Sequence, residues 1–289
     1  MTDRRLLSLF VLTVLLGSSC GSPSGENANA LETLTAASAK TNAAGTAKVE
    51  MKIAMDVDGQ VLSMDAIGAM DLDKQLAHMT MTIGSDTPGM PAGGMGEIEM
   101  VMDGLEVYAK YPPEIAQSMP SDKPWAFIDM QAVGESQGMD YAAMAQTSGG
   151  DPSQILQYLN GVTDDIEDLG DEAIRGVATT HYKATIDLAK AADQAPADVR
   201  DAVRASIEAM EKQLGKSEIP VEVWIGEDGF VHRMTISFES DEGAQGPFKM
   251  DMTLDMFDFG APVTVEIPPV SQVYDLTEMM TGMGAGSVP

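Results

Sequence analysis

The chain has 289 residues, with 17 Lys and Arg against 45 Asp and Glu and a formal net charge of −28. A surface that acidic repels phosphate backbones and anionic headgroups, which excludes nucleic acid as a partner and adhesion to a membrane by charge alone. The length suffices for one large domain or two small ones with sizeable cores, and the uniform strand pattern described below favours one.

Residues 1–19 carry Arg4 and Arg5, an apolar run from Leu6 to Leu16, and then Gly17, Ser18 and Ser19, the layout of a secretory signal peptide. The run is too short to span a membrane as a helix. Removing these residues leaves 15 cations against 44 acids. Cys20 is the only cysteine, so it cannot make an intramolecular disulfide. Leu15, Leu16, Gly17, Ser18 and Ser19 ahead of it resemble a bacterial lipobox, with Gly17 where that pattern prefers Leu. The resemblance implies lipid attachment at Cys20 and an exported protein anchored to the outer face of the cytoplasmic membrane. Plain secretion with a free thiol is the alternative.

Residues 20–29 are rich in Ser, Gly, Pro and Asn and are expected to be a flexible tether. Leu31, Leu34 and Ala37 are spaced for a short helix over residues 30–41. Over residues 46–58, Ala47, Val49, Met51, Ile53, Met55 and Val57 are apolar and the residues between them polar except Ala54, the alternation of a half-buried strand. Asp58 and Gly59 turn the chain into a second strand carrying Met64, Ala66, Met70 and Leu72. Asp73 and Lys74 lead into a third carrying Ala77, Met79, Met81 and Ile83. Residues 84–96, with two prolines and five glycines, are expected to be a loop.

Ile98, Met100 and Met102 then run into Asp103-Gly104, a hairpin signal, with a return strand over residues 105–111. A strand over 125–130 precedes a second polar loop, 134–150. Asp151 and Pro152 open a helix that buries Ile155, Leu156 and Leu159. The acidic stretch 164–172 reads as a solvated connector. Tyr182, Ala184, Ile186 and Leu188 form the next alternating strand. Val199, Val203, Ile207, Met210 and Leu214 mark an amphipathic helix over 197–214, which either packs on the sheet or gates a cavity as a lid.

Val221, Val223 and Ile225 pass through Asp228-Gly229 to Met234, Ile236 and Phe238. Phe248, Met250, Met252, Leu254 and Met256 make another strand, and Val263, Val265 and Ile267 a last one. Residues 277–289 are rich in Gly and Met and are expected to be a disordered tail. The sum is one α+β domain over residues 30–276, with about ten strands in one antiparallel sheet and helices near residues 30, 151 and 197.

Three modest helices cannot cover one face of such a sheet. Twelve of the 23 methionines fall on it: Met51, Met55, Met64, Met70, Met79, Met81, Met100, Met102, Met234, Met250, Met252 and Met256. Methionine is flexible and polarizable, so it specifies a unique core poorly and conforms well to an irregular ligand. Two readings stay open, an ordinary methionine-rich core and an expandable pocket for acyl chains. The candidate lining residues are these methionines except Met256, together with Ile53, Tyr182, Ile186, Val223, Ile225, Ile236, Phe238 and Leu254. The pairs Met79/Met81 and Met250/Met252 offer thioethers to Cu(I), but no Cys or His close in sequence completes a soft site. No cofactor is expected.

An ordered series of short motifs spans nearly the whole chain. It comprises Trp125-Ala-Phe-Ile-Asp129, Asp151-Pro-Ser-Gln-Ile-Leu156, Gly170-Asp-Glu-Ala-Ile-Arg-Gly176 running into Thr179-Thr-His-Tyr182, Ile219-Pro-Val-Glu-Val-Trp224, Asp228-Gly-Phe-Val-His-Arg233 and Phe257-Asp-Phe-Gly-Ala-Pro262. With Cys20, this series resembles the LppX/LprAFG group of actinobacterial lipoproteins, in the wider class of LolA-like half-barrel carriers. The resemblance implies a strongly curved antiparallel half-barrel with helices on its concave side. It also implies a hydrophobic cavity that binds a multi-acylated lipid or glycolipid for transfer across the cell envelope, with an envelope transporter as a further partner. The chain departs from that group in its methionine content, its acidity, and insertions at 84–96, 134–150 and around the 197 helix. A non-enzymatic sensor of the same fold, binding a protein partner through the acidic convex face, is the alternative.

Gly134-Glu-Ser-Gln-Gly138 matches a serine nucleophile motif, which works only on a sharp turn between a buried strand and a helix. Here it is expected in a polar loop, so Ser136 is read as a loop residue, no catalytic residue is assigned, and the protein is expected not to be an enzyme. His78 and His181 fall at polar strand positions and His232 beside a turn; all three are expected at the surface, without metal spacing. Asp164, Asp165, Glu167, Asp168, Asp171 and Glu172 lack the spacing of a calcium loop.

Overall fold

The computed structural model describes residues 24–57, 59–85, 96–117, 119–136, 140–142, 166–188, 190, 193, 200–214, 218–240 and 247–285. The expected signal peptide, Cys20, most of the 84–96 loop and the helix at 151 lie outside the described residues. The strands are β1 (Thr46–Val57), β2 (Gln60–Asp71), β3 (Leu76–Ser85), β4 (Gly96–Asp103), β5 (Glu106–Lys110), β6 (Trp125–Asp129), β7 (Ile166–Ile174), β8 (Val177–Asp187), β9 (Glu218–Gly226), β10 (Val231–Ser240), β11 (Phe248–Phe257) and β12 (Val273–Asp275). The helices are α1 (Ser24–Ala43), α2 (Pro113–Ala116), α3 (Met130–Ser136), α4 (Arg200–Leu214) and α5 (Thr277–Ala285).

All twelve strands join one open sheet in the order β12-β6-β5-β4-β3-β2-β1-β11-β10-β9-β8-β7. Two meanders build it, β1 to β6 and β7 to β11. They are joined at the centre by β1 and β11, which pair antiparallel from Lys48 opposite Phe257 to Val57 opposite Phe248. The turns follow the sequence signals: Gly59 and Gly104 take φ of 79° and 57°, the left-handed region that an Asp-Gly hairpin needs. One edge departs from the expected antiparallel pattern, because β12 pairs parallel with β6.

The described residues hold twelve strands where about ten were expected. The acidic stretch expected as a connector is β7, an edge strand paired with β8 whose residues between Ile166 and Ile174 are all exposed. The segment 263–267, expected as a strand, pairs with no strand among the described residues. Pro262, Pro268 and Pro269 remove backbone donors there, and the segment starts along the outer, polar face of the sheet. Ala261, Val263 and Thr264 share a groove of about 320 Å³ with Lys48, Ile67 and His78. This strap carries the chain from β11 at the centre of the sheet to β12 at its edge.

Three further expectations change. The tether is shorter, since α1 begins at Ser24 and takes in residues 24–29; the helix ends at Ala43, stopped by Gly45 just beyond, whose φ is 71° and whose N–H donates to the Asn42 carbonyl. The 134–150 loop starts later, because α3 continues through Ser136, capped by the Asp129 carboxylate accepting from the Gln131 and Ala132 amides. The tail expected to be disordered is helical as far as Ala285. Leu276 buries against Ala126, Ile128 and Val133, and the Asp275 carboxylate accepts the Thr277 amide, which together start α5.

Candidate functional site

The register places the apolar residues of both meanders on one continuous face. One row of cross-strand neighbours runs Ile166, Ala184, Val221, Ile236, Met252, Ile53, Met64 and Ile83. The next runs Tyr182, Val223, Met234, Leu254, Met51, Ala66, Met81 and Ile98. Met79 and Met100, then Met70 and Met102, continue the same face toward β5 and β6, and Met55 sits opposite Met250. Every expected lining residue is therefore on this face; Ile186 pairs with Ile219, and Ile225 with Val231, at its far end. Leu62, Ile83, Ile98, Phe248 and Met256 also belong to the face and are missing from the expected lining. The alternating stripes already include Ile83, Ile98, Phe248 and Met256; only Leu62 needs its register opposite Met55 to be found.

Helices cover the two ends of the face. On β7 to β10, Ala30, Leu34 and Ala37 of α1 pack on Ile166, Ala184, Val221, Val223, Ile225 and Val231, and Leu34 is fully buried. The Thr41 hydroxyl pins this roof by accepting the Val231 amide at 2.9 Å. Val203 and Ile207 of α4 pack with Leu188 beside Ile186 and Ile219. At the other end, Val133 of α3 and Leu276 before α5 pack on Ala126 and Ile128 of β6.

Between these roofs the face stays half-buried. Met51, Ile53, Met55, Met64, Met70, Met81, Met100, Met102, Met250, Met252 and Leu254 all keep partial contact with solvent. Met234, Ile236, Tyr182 and Ile186 are half-buried at the margin of α1. Val223, Ile225, Phe238 and Met79 are buried by the protein's own packing, so their share in any lining is at most an edge. Small residues deepen the middle: Ala47, Ala66 and Ala77 sit among the methionines, and at Gly68 an added Cβ would lie 2.7 Å from the Met79 Cα.

Two clefts flank α1. One of about 580 Å³ touches Glu32, Lys40, Ile225 and Gly229. The other, about 570 Å³, lies between α1 and the β7–β8 hairpin at Asn29, Thr33, Ile166, Glu167, Asp168 and Tyr182. Burial first, and then the Asp168 carboxylate, push the Tyr182 hydroxyl above its ordinary range, so it stays a neutral hydrogen-bonding group.

The outer face is charged and paired across strands. Arg233 donates to both carboxylate oxygens of Asp255 at 2.5 and 2.7 Å. Trp224 donates its indole N–H to Glu172 and stacks on His181 at 3.9 Å between ring centres. Arg175, at the tip of the β7–β8 hairpin, reaches Glu50 on β1 at 2.8 Å.

Of the three histidines expected at the surface, His232 is the one that departs from it. His78 is half-buried on the outer face beside Glu99, with its ring turned away from the thioethers of Met79 and Met81, and cannot complete a copper site with them. His181 is half-buried against Trp224. His232, expected at the surface, is 5% exposed because it occupies the bulge between Val231 and Arg233; its Nε2 lies 3.0 Å from Asp228 and its ring meets Phe259 edge-on. Among the described residues no group of three or more His, Cys, Asp or Glu is placed to hold a metal ion. Ser136 donates its hydroxyl to the Val133 carbonyl inside α3, with no base beside it among the described contacts. The described helices include none long and apolar enough to cross a membrane.

Compared with known proteins, the chain is similar to the LppX/LprF-like lipoproteins, and no family model matches it. Lipoprotein LppX of Mycobacterium tuberculosis superposes with a TM-score of 0.48 at 16% identity, over 82% of this chain and 99% of LppX. By sequence, an uncharacterized protein of Streptomyces griseus is 29% identical over 257 residues, 85% of this chain and 79% of its own length. A candidate lipoprotein of Streptomyces coelicolor is 23% identical over 267 residues, 90% of this chain and 79% of its own.

Proposed function

We propose that this protein is a cell-envelope lipoprotein, anchored through Cys20, that shelters the acyl chains of a lipid or glycolipid on the methionine face and carries or presents it across the envelope. One observation carries this reading: a single apolar face, unbroken across the sheet, is roofed by helices at both ends and left half-buried where it is richest in methionine. A curved sheet would turn that middle into a trough. Each methylene an acyl chain buries there contributes about 0.8 kcal/mol, and the binding step needs no bond chemistry. The similarity to proteins named as lipoproteins agrees with the anchor read from Cys20.

The test is organic extraction of the purified protein followed by mass spectrometry. The reading expects near-stoichiometric acylated lipid that is released on unfolding. Protein that emerges lipid-free, and fails to take up a fluorescent fatty acid, overturns it.

A further inference from the structure

The half-buried part of the apolar face concentrates thioethers. Met252, Ile53 and Met64 follow one another across β11, β1 and β2, and in the next row Leu254, Met51, Ala66 and Met81 run from β11 to β3. Met51, Met64, Met81 and Met252 thus form a patch three strand spacings wide, about 14 Å. Each keeps partial contact with solvent, which a small oxidant needs in order to reach the sulfur. Their cross-strand neighbours are Ile53, Ala66, Ile83, Ile98, Ile236 and Leu254, none of which has a side-chain hydrogen-bond donor.

The molecule supplies its own contrasts. Met79, on the same face, is 8% exposed, and Met279, on α5 and off the face, is 44% exposed. The patch also stands apart from the roofs. None of its four members belongs to the clusters under α1, α4 or α3, and Met64 and Met81 border the strand cluster of Ile83, Ile98 and Ala109. Chemistry at these sulfurs can therefore change the face while the packing that holds the helices stays in place.

For its consequence resting on the acyl-binding reading above, we infer that Met51, Met64, Met81 and Met252 are an oxidation site that reports an empty face: a hydroperoxide converts them to sulfoxides when no acyl chain covers them, and the oxidised face stays unloaded until they are reduced. With hydrogen peroxide, the thioether sulfur attacks one peroxide oxygen. An S–O bond forms as the O–O bond breaks, sulfur gives up two electrons, and the departing hydroxide takes the transferred proton and leaves as water. The product is a polar side chain in place of an apolar one. With no donor among the neighbours, only water satisfies the new oxygen, and an acyl chain lying there strips that water away. One such unpaired acceptor weakens acyl binding by about tenfold.

The experiment treats the full mature chain, either stripped of lipid or loaded with palmitate, with hydrogen peroxide and maps the sulfoxides by peptide mass spectrometry. Met279 is expected to oxidise readily in both forms and Met79 slowly in both, whereas the four patch methionines oxidise several-fold faster in the empty form. The oxidised empty protein should bind a fluorescent fatty acid about tenfold or more weaker than before, with its urea midpoint nearly unchanged. The two methionine sulfoxide reductases, one for each epimer, should restore binding. A variant combining Met51→Leu, Met64→Leu, Met81→Leu and Met252→Leu keeps apolar volume without the sulfurs, and should lose no more than about threefold in affinity on the same treatment. Should that variant fold poorly, reductase rescue decides, since it changes no residue. Patch methionines that resist peroxide or oxidise equally in both forms overturn the site while acyl binding stands. So do an affinity untouched by oxidation, a well-folded fourfold variant as sensitive as the parent, and a loss explained by unfolding. If the untreated protein does not bind the fatty acid at all, the acyl-binding reading itself fails, and the control of loading with it.

Discussion

Under α1 the sheet presents Val221, Val223, Ile225 and Val231, β-branched side chains pressed against Ala30, Leu34 and Ala37; at the centre the same face presents Met51, Met64, Met100 and Met252. Among the described residues, no helix side chain shares a hydrophobic cluster with those four methionines. The difference is one of chemistry suited to the neighbour. Stiff side chains with one preferred rotamer fit a fixed helix, and thioether chains with three rotatable bonds fit an occupant of variable shape. A face can thus be uniform in hydropathy and still be divided into a part packed under helices and a half-buried part, the one the proposed function assigns to cargo.

Leu34→Ala attacks the stable part. With Leu34 fully buried between α1 and β9, the lost contacts and residual cavity should cost about 2–5 kcal/mol in urea unfolding, the largest effect expected here. Met64→Ala and Met252→Ala, which flank Ile53 in one row, attack the other part. Being half-buried, each should lower stability by only about 1 kcal/mol, while the lipid recovered by extraction falls clearly below that of the parent. A stability loss at either methionine equal to that of Leu34→Ala would erase the division.

The smallest effect concerns the outer face behind the central methionines. Lys52 first and Arg175 next hold the Glu50 carboxyl below its ordinary value near 4.5. A depressed folded-state value means that Glu50 stabilises the protein above the carboxylate range and that this contribution is lost as the pH falls through it. Glu50→Gln should therefore lower the urea midpoint slightly at neutral pH and flatten its acid limb, so that variant and parent converge near about pH 3. A steeper acid limb in the variant would contradict the pairing.

How much of this was legible in the sequence depended on whether a residue's surroundings are local. The alternation from Ala47 to Val57 gave both the strand and its buried face, because a period of two leaves no other solution once one side is apolar. For β7 the signal was absent: only its end residues are buried, and it is a strand because β8 lends it an edge to pair with. Val263 to Ile267 alternate like a strand, yet the segment belongs to the strap and takes no place in the sheet; prolines on both sides were the available warning. His232 stood beside a turn in sequence, and only the bulge between its neighbours, a tertiary feature, draws it inside. The lining set was legible as a face. Which members α1 would cover was not, since α1 carries little more than Leu31, Leu34 and alanines as apolar surface.

The strap over the outer face has a consequence for how the chain is put together. β1 and β6 bound the first meander, and their outside neighbours, β11 and β12, begin only at Phe248 and Val273. A polypeptide emerging amino end first leaves both borders of that half-sheet with open backbone donors and acceptors until nearly the whole remainder has appeared. Long-range pairing of this kind is slow to form. The final forty or so residues thus act as a double seam, closing the middle and the rim in one event, and losing them would expose two sticky borders at once.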